Sequence, residues 1–120
     1  MHLIIEGRGR NLQKLKDTEF LKRILDSYPE KIDMEKVSPP QVIECSNKEG
    51  GRQEIAGFVL IAESHLSMHV LPEEGYVNID VYSCKSFDAG KVIEDLAREF
   101  ELEKVRTFLL TRDIEHYGKT

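Results

Sequence analysis

Two stretches of the chain carry apolar residues at the spacing of an amphipathic helix. In the first stretch these residues are Phe20, Leu21, Ile24, Leu25 and Tyr28. Asp17 and Thr18 precede it as capping candidates, and Pro29 is expected to end it, because proline disrupts a helix interior. In the second stretch they are Val92, Ile93, Leu96, Ala97 and Phe100, with Ser86 or Asp88 available as the N-cap. The spacing therefore predicts two helices.

Segments rich in β-branched and aromatic residues predict strands over much of the remaining chain. Leu3–Ile5 is the first, and the others are expected at 41–45, 55–62, 65–71, 76–83 and 105–111. Turns or breaks are expected at Gly7–Arg10, Pro39–Pro40 and Asn47–Gly51. Because parallel neighbours need a crossover of about a dozen residues or more, the short connections predict antiparallel strands in the middle of the sheet.

Two helices and a mainly antiparallel sheet predict an α+β two-layer sandwich, with both helices covering one face of the sheet. The segment 76–84 indicates what the other face carries. There Val77, Ile79 and Val81 alternate with polar and aromatic residues, so one side of this strand is aliphatic and the other amphipathic. The amphipathic face is expected to hold a functional site or the interface of a symmetric dimer.

Length and charge narrow the class of protein. A chain of 120 residues suits a single domain, 1–120. The net charge is −5 and the basic residues are scattered, so DNA and RNA are not expected partners. No apolar run approaches the ~20 residues of a membrane helix, and the first residues do not resemble a secretory signal. A cytoplasmic location is expected, in which Cys45 and Cys84 would be reduced.

An abrupt change from apolar to polar residues marks the middle of the chain. Gly57–Ala62 is almost entirely apolar, whereas Glu63–His69 packs five polar residues into seven positions. Such a change along a strand is a place to look for function.

Three ordinary chemistries account poorly for these residues. His65 and His69 would face one zinc ion on a helix, but they lie in a strand-like segment and lack the glutamate of HExxH. A hydrolase triad of Ser64, His69 and an acid stays open, although no GxSxG elbow surrounds the serine. The Gly7–Arg10 stretch lacks the lysine and helix start of a phosphate loop. No metal site is predicted.

The stretch 62–84 reads AESHLSMHVLPEEGYVNIDVYSC. It resembles the signature of the small prokaryotic S-adenosylmethionine decarboxylases, in which ESH is followed by a further histidine, PE, GY and a final cysteine. Ser64, His69, Glu73 and Cys84 match that signature without a gap. An ungapped match of this length is far more specific than a three-residue motif.

The resemblance implies that the chain is a precursor that cuts itself between Glu63 and Ser64 into fragments 1–63 and 64–120. The Ser64 hydroxyl would attack the Glu63 carbonyl, and the resulting ester would undergo β-elimination. The dehydroalanine left at residue 64 would hydrolyse to a pyruvoyl group, the cofactor of the mature protein. His69 is expected to assist by proton transfer, which suits an imidazole that titrates near neutral pH.

The resemblance further implies a carboxy-lyase that acts on a small-molecule substrate. A pyruvoyl ketone can form a Schiff base with the substrate amine and accept the electrons left when carbon dioxide departs. Cys84 would return a proton to the substrate carbon, and Glu73 would hold the ribose hydroxyls. In the family this reaction supplies polyamine (spermidine) synthesis, and the sites lie at a dimer interface, so a homodimer is expected.

Departures from the family raise two alternatives. Leu71 stands where the family has a tryptophan, Ala56 stands where it has a serine, and the stretch 47–57 lacks a stacking aromatic. Because aromatic faces bind adenine, their loss favours a basic amino acid, arginine or ornithine, as an alternative substrate. Loss of the serine hydroxyl motivates the second alternative, an uncut regulatory homologue.

Overall fold

The computed structural model of the protein describes residues 1–46 and 52–111, so the predicted break at 47–51 lies outside the described residues. The elements are β1 (His2–Gly9), α1 (Leu12–Lys16), α2 (Thr18–Lys31), β2 (Glu35–Lys36), β3 (Gln41–Ser46), β4 (Gln53–Ala62), β5 (Ser64–Leu71), a 3-10 turn (Pro72–Glu74), β6 (Tyr76–Ser83), α3 (Ala89–Glu99) and β7 (Leu102–Leu110). In these ranges no helix is both long and apolar enough to cross a bilayer.

The seven strands form one sheet in the order β2-β4-β5-β6-β1-β7, and β3 pairs with β4 on the same side as β2. Every pairing is antiparallel. Strands β4, β5 and β6 are consecutive in the chain and neighbours in the sheet, as their short connections predict. The α+β architecture with an antiparallel sheet is confirmed.

The helices lie on one face of the sheet, where alternate strand residues are buried. The helical side of this core consists of Leu15, Phe20, Leu21, Ile24, Leu25, Tyr28, Val92, Leu96 and Phe100. The sheet side consists of Leu3, Ile5, Ile55, Val59, Ile61, Leu66, Met68, Val70, Val77, Ile79 and Val81. Gly57 belongs to the same face, and a Cβ there would lie 2.8 Å from Leu25 Cδ1, so helix α2 packs directly on the backbone of β4.

The opposite face of the sheet, which we call the open face, carries no helix in the described part of the chain. It presents the alternate strand residues His2, Ile4, Glu6, Glu54, Ala56, Phe58, Leu60, His65, Ser67, His69, Asn78, Asp80, Tyr82, Arg106, Phe108 and Leu110. Four of the apolar ones, Phe58, Leu60, Phe108 and Leu110, are between 39% and 47% exposed. The open face is therefore amphipathic, as the alternation in 76–84 predicts.

Both long helices begin at aspartate caps. The Asp17 carboxylate accepts the backbone N–H of Glu19 and Phe20, at 3.0 and 3.2 Å. The Asp88 carboxylate accepts that of Lys91 at 3.1 Å, which decides between the two caps predicted for the second helix. Each cap satisfies N–H groups that have no partner inside the helix.

The prediction that Pro29 ends the first helix is wrong, because α2 continues to Lys31. A proline removes one N–H from the ladder, but so near the C-terminus the last turn can close without it. The Pro29 carbonyl accepts the backbone N–H of Ile32 at 3.1 Å and of Met34 at 2.9 Å, which completes the end of the helix.

The prediction of a turn at Gly7–Arg10 is also wrong, because β1 runs on to Gly9. A Cβ at position 7 would lie 2.8 Å from Leu102 Cδ1 and 3.0 Å from the Lys104 carbonyl oxygen. The glycine thus marks a close approach of β7 to β1 inside the sheet, and not a chain reversal.

A partly buried hydrogen bond joins helices α2 and α3. The Tyr28 hydroxyl donates to Asp95 Oδ2 at 2.9 Å. Burial raises the pKa of the Tyr28 phenol well above its ordinary value, and the hydrogen bond to Asp95 and its negative charge add to the rise.

Candidate active site

The bond predicted to be cut lies at the tip of the hairpin that joins β4 and β5. Only Glu63 separates the two strands, and Ile61 pairs with Ser64 across the hairpin. Ser64 has a φ of 121°, a region that L residues other than glycine rarely adopt. Such a conformation stores about 1–3 kcal/mol of strain. The backbone is therefore strained at the serine that follows the predicted scissile bond.

The start of the loop after β6 lies beside this hairpin tip. Ser64 pairs with Ser83, so the next residue, Cys84, lies next to Glu63. The backbone N–H of Cys84 donates to the Glu63 carbonyl oxygen at 3.4 Å. A donor at that oxygen is placed to stabilise the negative charge that forms there when a nucleophile attacks the carbonyl carbon. The structure thus brings Ser64 and Cys84 together around one carbonyl.

The buried side chain of Ser83 anchors the start of the loop that follows β6. Its side chain is fully buried, its Oγ accepts the backbone N–H of Lys85 at 3.0 Å, and its hydroxyl donates to Met34 Sδ at 3.5 Å. The backbone on either side of Cys84 is therefore anchored, while the cysteine itself is exposed and has a free thiol.

His69 and Glu73 do not lie near Ser64 of the same chain. His69 is five residues further along β5, which at about 3.4 Å per residue places its Cα about 17 Å from that of Ser64. Glu73 lies in the 3-10 turn beyond the end of β5, further away still. The four predicted residues therefore form two groups at opposite ends of one strand.

The second group has its own surroundings on the open face. His69 lies directly opposite Ala56 of β4 and Asn78 of β6. Its Nε2 lies 3.6 Å from Oε2 of Glu54, which precedes Ala56 by two residues on the same face. Sequence reasoning did not single out Glu54 or Asn78. The alternation of β4 would have identified Glu54 once the hairpin at Glu63 had set the register.

The two adjacent glutamates of the 3-10 turn, Glu73 and Glu74, differ in their ion pairing. Glu74 forms an ion pair with Arg52, 2.5 Å between Oε1 and the guanidinium nitrogen. Glu73 is exposed and forms no ion pair within residues 1–46 and 52–111. Of the two, Glu73 is thus the carboxylate available to a ligand.

A polar and aromatic row crosses the open face next to the hairpin tip. His65 packs edge-on against Tyr82, with ring centroids 5.6 Å apart, and His2 lies 5.3 Å beyond Tyr82. Nε2 of His2 lies 2.8 Å from Oδ1 of Asp80. His65 and His69 both lie on the open face of β5, and no group of three or more metal-ligating side chains occurs in the described ranges.

Comparison with known proteins assigns the class to which this fold and hairpin belong. The family model described as "S-adenosylmethionine decarboxylase" matches residues 1–113. The chain therefore belongs to the S-adenosylmethionine decarboxylase family.

Individual relatives agree with that assignment. The chain is 32% identical over 111 residues to a protein of Geobacillus sp. (strain WCH70) named S-adenosylmethionine decarboxylase proenzyme, covering 92% of this chain and 85% of the relative. It is 29% identical over 105 residues to a proenzyme of the same name from Clostridium botulinum (strain Langeland / NCTC 10281 / Type F), covering 87% and 85%. The fold is similar to the crystal structure of the adenosylmethionine decarboxylase from Aquifex aeolicus VF5, with a TM-score of 0.73 at 22% identity over 94% of this chain and 89% of that one.

Proposed function

We propose that this protein is a self-processing, pyruvoyl-dependent S-adenosylmethionine decarboxylase. The contact between the Cys84 N–H and the Glu63 carbonyl oxygen, beside the strained Ser64, is the observation that carries the proposal. The names of the relatives favour this substrate over arginine or ornithine and favour an enzyme over an uncut regulatory homologue.

Self-cleavage would begin at the hairpin tip. The Ser64 Oγ–H bond breaks, Oγ bonds to the Glu63 carbonyl carbon, and the C–N bond between the two residues opens to leave an ester. Loss of the Ser64 Cα proton then expels the Glu63 carboxylate, and hydrolysis of the dehydroalanine takes up water and releases ammonia. The Cys84 N–H is placed to stabilise the oxyanion of the first step, and the strain at Ser64 favours leaving the precursor state.

The residues at the tip fit a pyruvoyl group made from Ser64, because the hydroxyl, the polarised carbonyl and the anchored Cys84 are all present there. The group would supply the carbonyl that binds the substrate amine and takes up the electrons released with carbon dioxide. Cys84 Sγ would hold the proton that is delivered to the substrate carbon. Glu73, the glutamate that Arg52 leaves unpaired, would bind the substrate hydroxyls.

We also propose that the protein is a homodimer, because a single protomer leaves the site incomplete. His69 and Glu73 lie too far from their own Ser64 to act on it, whereas a two-fold contact between open faces could bring them to the Ser64 of the partner. The exposed apolar side chains of the open face would be covered in such a contact. The product would enter polyamine (spermidine) synthesis, and the cytoplasmic location predicted from the sequence stays part of the proposal.

Intact mass and carbon dioxide release test the proposal together. The purified wild-type protein should separate into fragments 1–63 and 64–120, the latter sensitive to carbonyl reagents, and should release carbon dioxide from S-adenosylmethionine. Ser64→Ala should remain one chain. An uncut wild-type protein would refute the proposed enzyme. Turnover of arginine or ornithine alone would refute S-adenosylmethionine as the substrate.

A further inference from the structure

The imidazole of His69 lies between two strands, and neither residue directly opposite it makes a side-chain hydrogen bond to it. On β4 that residue is Ala56, which offers only a methyl group. On β6 it is Asn78, whose Oδ1 is buried and has no hydrogen-bond partner in the part of the chain that the structure describes. The group that reaches the ring is the carboxylate of Glu54, the diagonal neighbour on β4, 3.6 Å from Nε2.

The contact between Glu54 and His69 is specific on a face that carries several carboxylates. Asp80 is engaged by His2 at 2.8 Å, and Glu6 is engaged by Arg106 at 2.8 Å. Glu54 contacts the His69 ring and forms no ion pair with a lysine or arginine within residues 1–46 and 52–111.

This contact contributes little to the free energy of folding, so any role of Glu54 must lie in the reaction. The side chains of His69 and Glu54 are 45% and 40% exposed, and pairs so open to solvent are screened and add almost nothing to stability. The position of the proton on the His69 ring can still matter, because a neutral imidazole accepts a proton only on the nitrogen that does not already carry one. A carboxylate beside one ring nitrogen keeps the proton on that nitrogen and leaves the other nitrogen as the base.

We infer that Glu54 is a positioning residue for His69, which holds the proton on Nε2 and leaves Nδ1 to exchange protons during self-cleavage. The inference rests on the proposed function. In the first step, His69 Nδ1 takes the proton as the Oγ–H bond of the partner subunit's Ser64 breaks, and returns it to the nitrogen of that serine as the peptide C–N bond opens. The Glu54 carboxylate offsets the positive charge of the imidazolium between these two transfers.

The distance of 3.6 Å is longer than a hydrogen bond, which is common for such pairs before the reaction brings them together. Glu54 thus occupies the role that a hydroxyl directly opposite His69 could fill if residue 56 were not alanine. The substitution Ala56→Ser therefore provides a rescue experiment, which distinguishes a positioning role of Glu54 from a structural one.

The self-cleavage rate of newly made precursor tests the inference without any turnover of substrate. Precursor is made in a short cell-free synthesis pulse, and the uncut fraction is followed on denaturing gels during the chase. Glu54→Gln should slow cleavage about tenfold, a part of the 10²–10⁴-fold that general acid–base catalysis contributes. Adding Ala56→Ser to Glu54→Gln should restore most of the rate, because a hydroxyl then lies across from the ring.

A matched control comes from another half-exposed ion pair. Asp26 of α2 lies 2.5 Å from Lys36 Nζ, with side chains 54% and 39% exposed, and Asp26→Asn should leave the cleavage rate within twofold of wild type. The thermal midpoints of all these variants should agree with that of wild type.

The outcomes separate the inference from the function on which it rests. Wild-type cleavage in Glu54→Gln while His69→Ala is slow, or failure of Ala56→Ser to restore the rate, overturns the role of Glu54 alone. A wild-type chain that stays uncut overturns the proposed function itself, and the inference with it.

Discussion

If each site is shared by two protomers, the uncut Ser64→Ala variant should restore the self-cleavage of the uncut His69→Ala variant. The Ser64→Ala chain keeps His69 but has no hydroxyl to attack the carbonyl. The His69→Ala chain keeps Ser64 but has no imidazole to move the proton. In a mixed dimer, Ser64 of the second chain would meet His69 of the first, and one complete site would form.

The geometry of β5 sets the size of the expected effect. The Cα atoms of Ser64 and His69 are about 17 Å apart in one chain, whereas a proton passes between heavy atoms about 3 Å apart. His69 should therefore contribute nothing to its own Ser64. When equal amounts of the two variants pair at random, about half of the His69→Ala chains are in mixed dimers, and that half should be cut at the wild-type rate.

Coexpression of the two variants with tags of different mass allows the cut fraction of each chain to be read by intact mass. The control partner for His69→Ala is the double variant Ser64→Ala/His69→Ala, which pairs equally well but brings no imidazole. If His69→Ala stays uncut while tag pull-down shows mixed dimers with Ser64→Ala, the shared site is refuted. Wild-type cleavage of His69→Ala alone would refute the role of the histidine.

Three further predictions concern the thiol and the packing of the helices. Cys84→Ala should still cut itself, because the N–H at the carbonyl is retained, but should release carbon dioxide slowly; normal turnover would exclude the thiol as proton donor. Gly57→Ala should lower the free energy of unfolding by about 1–3 kcal/mol in urea titration, since its Cβ would clash with α2, whereas Gly90→Ala, which meets only an ordinary contact in a helix, should not be destabilising. Tyr28→Phe should cost about 2 kcal/mol at pH 8 through loss of the bond to Asp95. The pKa of Tyr28 is raised in the folded state, so its hydroxyl stabilises the fold fully below about pH 10, the unfolded pKa, and less above it. If Tyr28→Phe lost the same free energy of unfolding at pH 8 and at pH 11, this reasoning would be contradicted.

Hydrophobic spacing predicts those elements that bury a continuous stripe. Helices α2 and α3 and strands β4, β5 and β6 follow the predicted segments closely, because their inward faces form the core. Short elements carry no such stripe. Helix α1 has one buried residue, Leu15, and β2 pairs with the end of β4 through two exposed residues, so neither has a periodicity to detect.

The site shows a similar limit. The signature predicts which side chains take part, and the sheet register then places Cys84 beside Glu63 as expected from their connection. The separation of His69 from Ser64 follows directly from the extended strand that contains both, but sequence spacing alone does not indicate the second copy that we propose to close the gap. Glu54 lies outside the signature and could not be predicted from it, because its proximity to His69 depends on the pairing of β4 with β5.

The missing aromatic residues bear differently on the substrate once the strands are placed side by side. Leu71, where a tryptophan was expected, lies directly opposite Tyr76. Two further rings, Phe58 and Phe108, are partly exposed on the same open face. An adenine needs a ring face whose centroid can approach to about 4.5–7 Å, and a neighbouring strand can supply it as well as a neighbour in sequence. The leucine thus removes one ring and leaves aromatic surface on the open face, so it weighs less against S-adenosylmethionine than the sequence alone suggests.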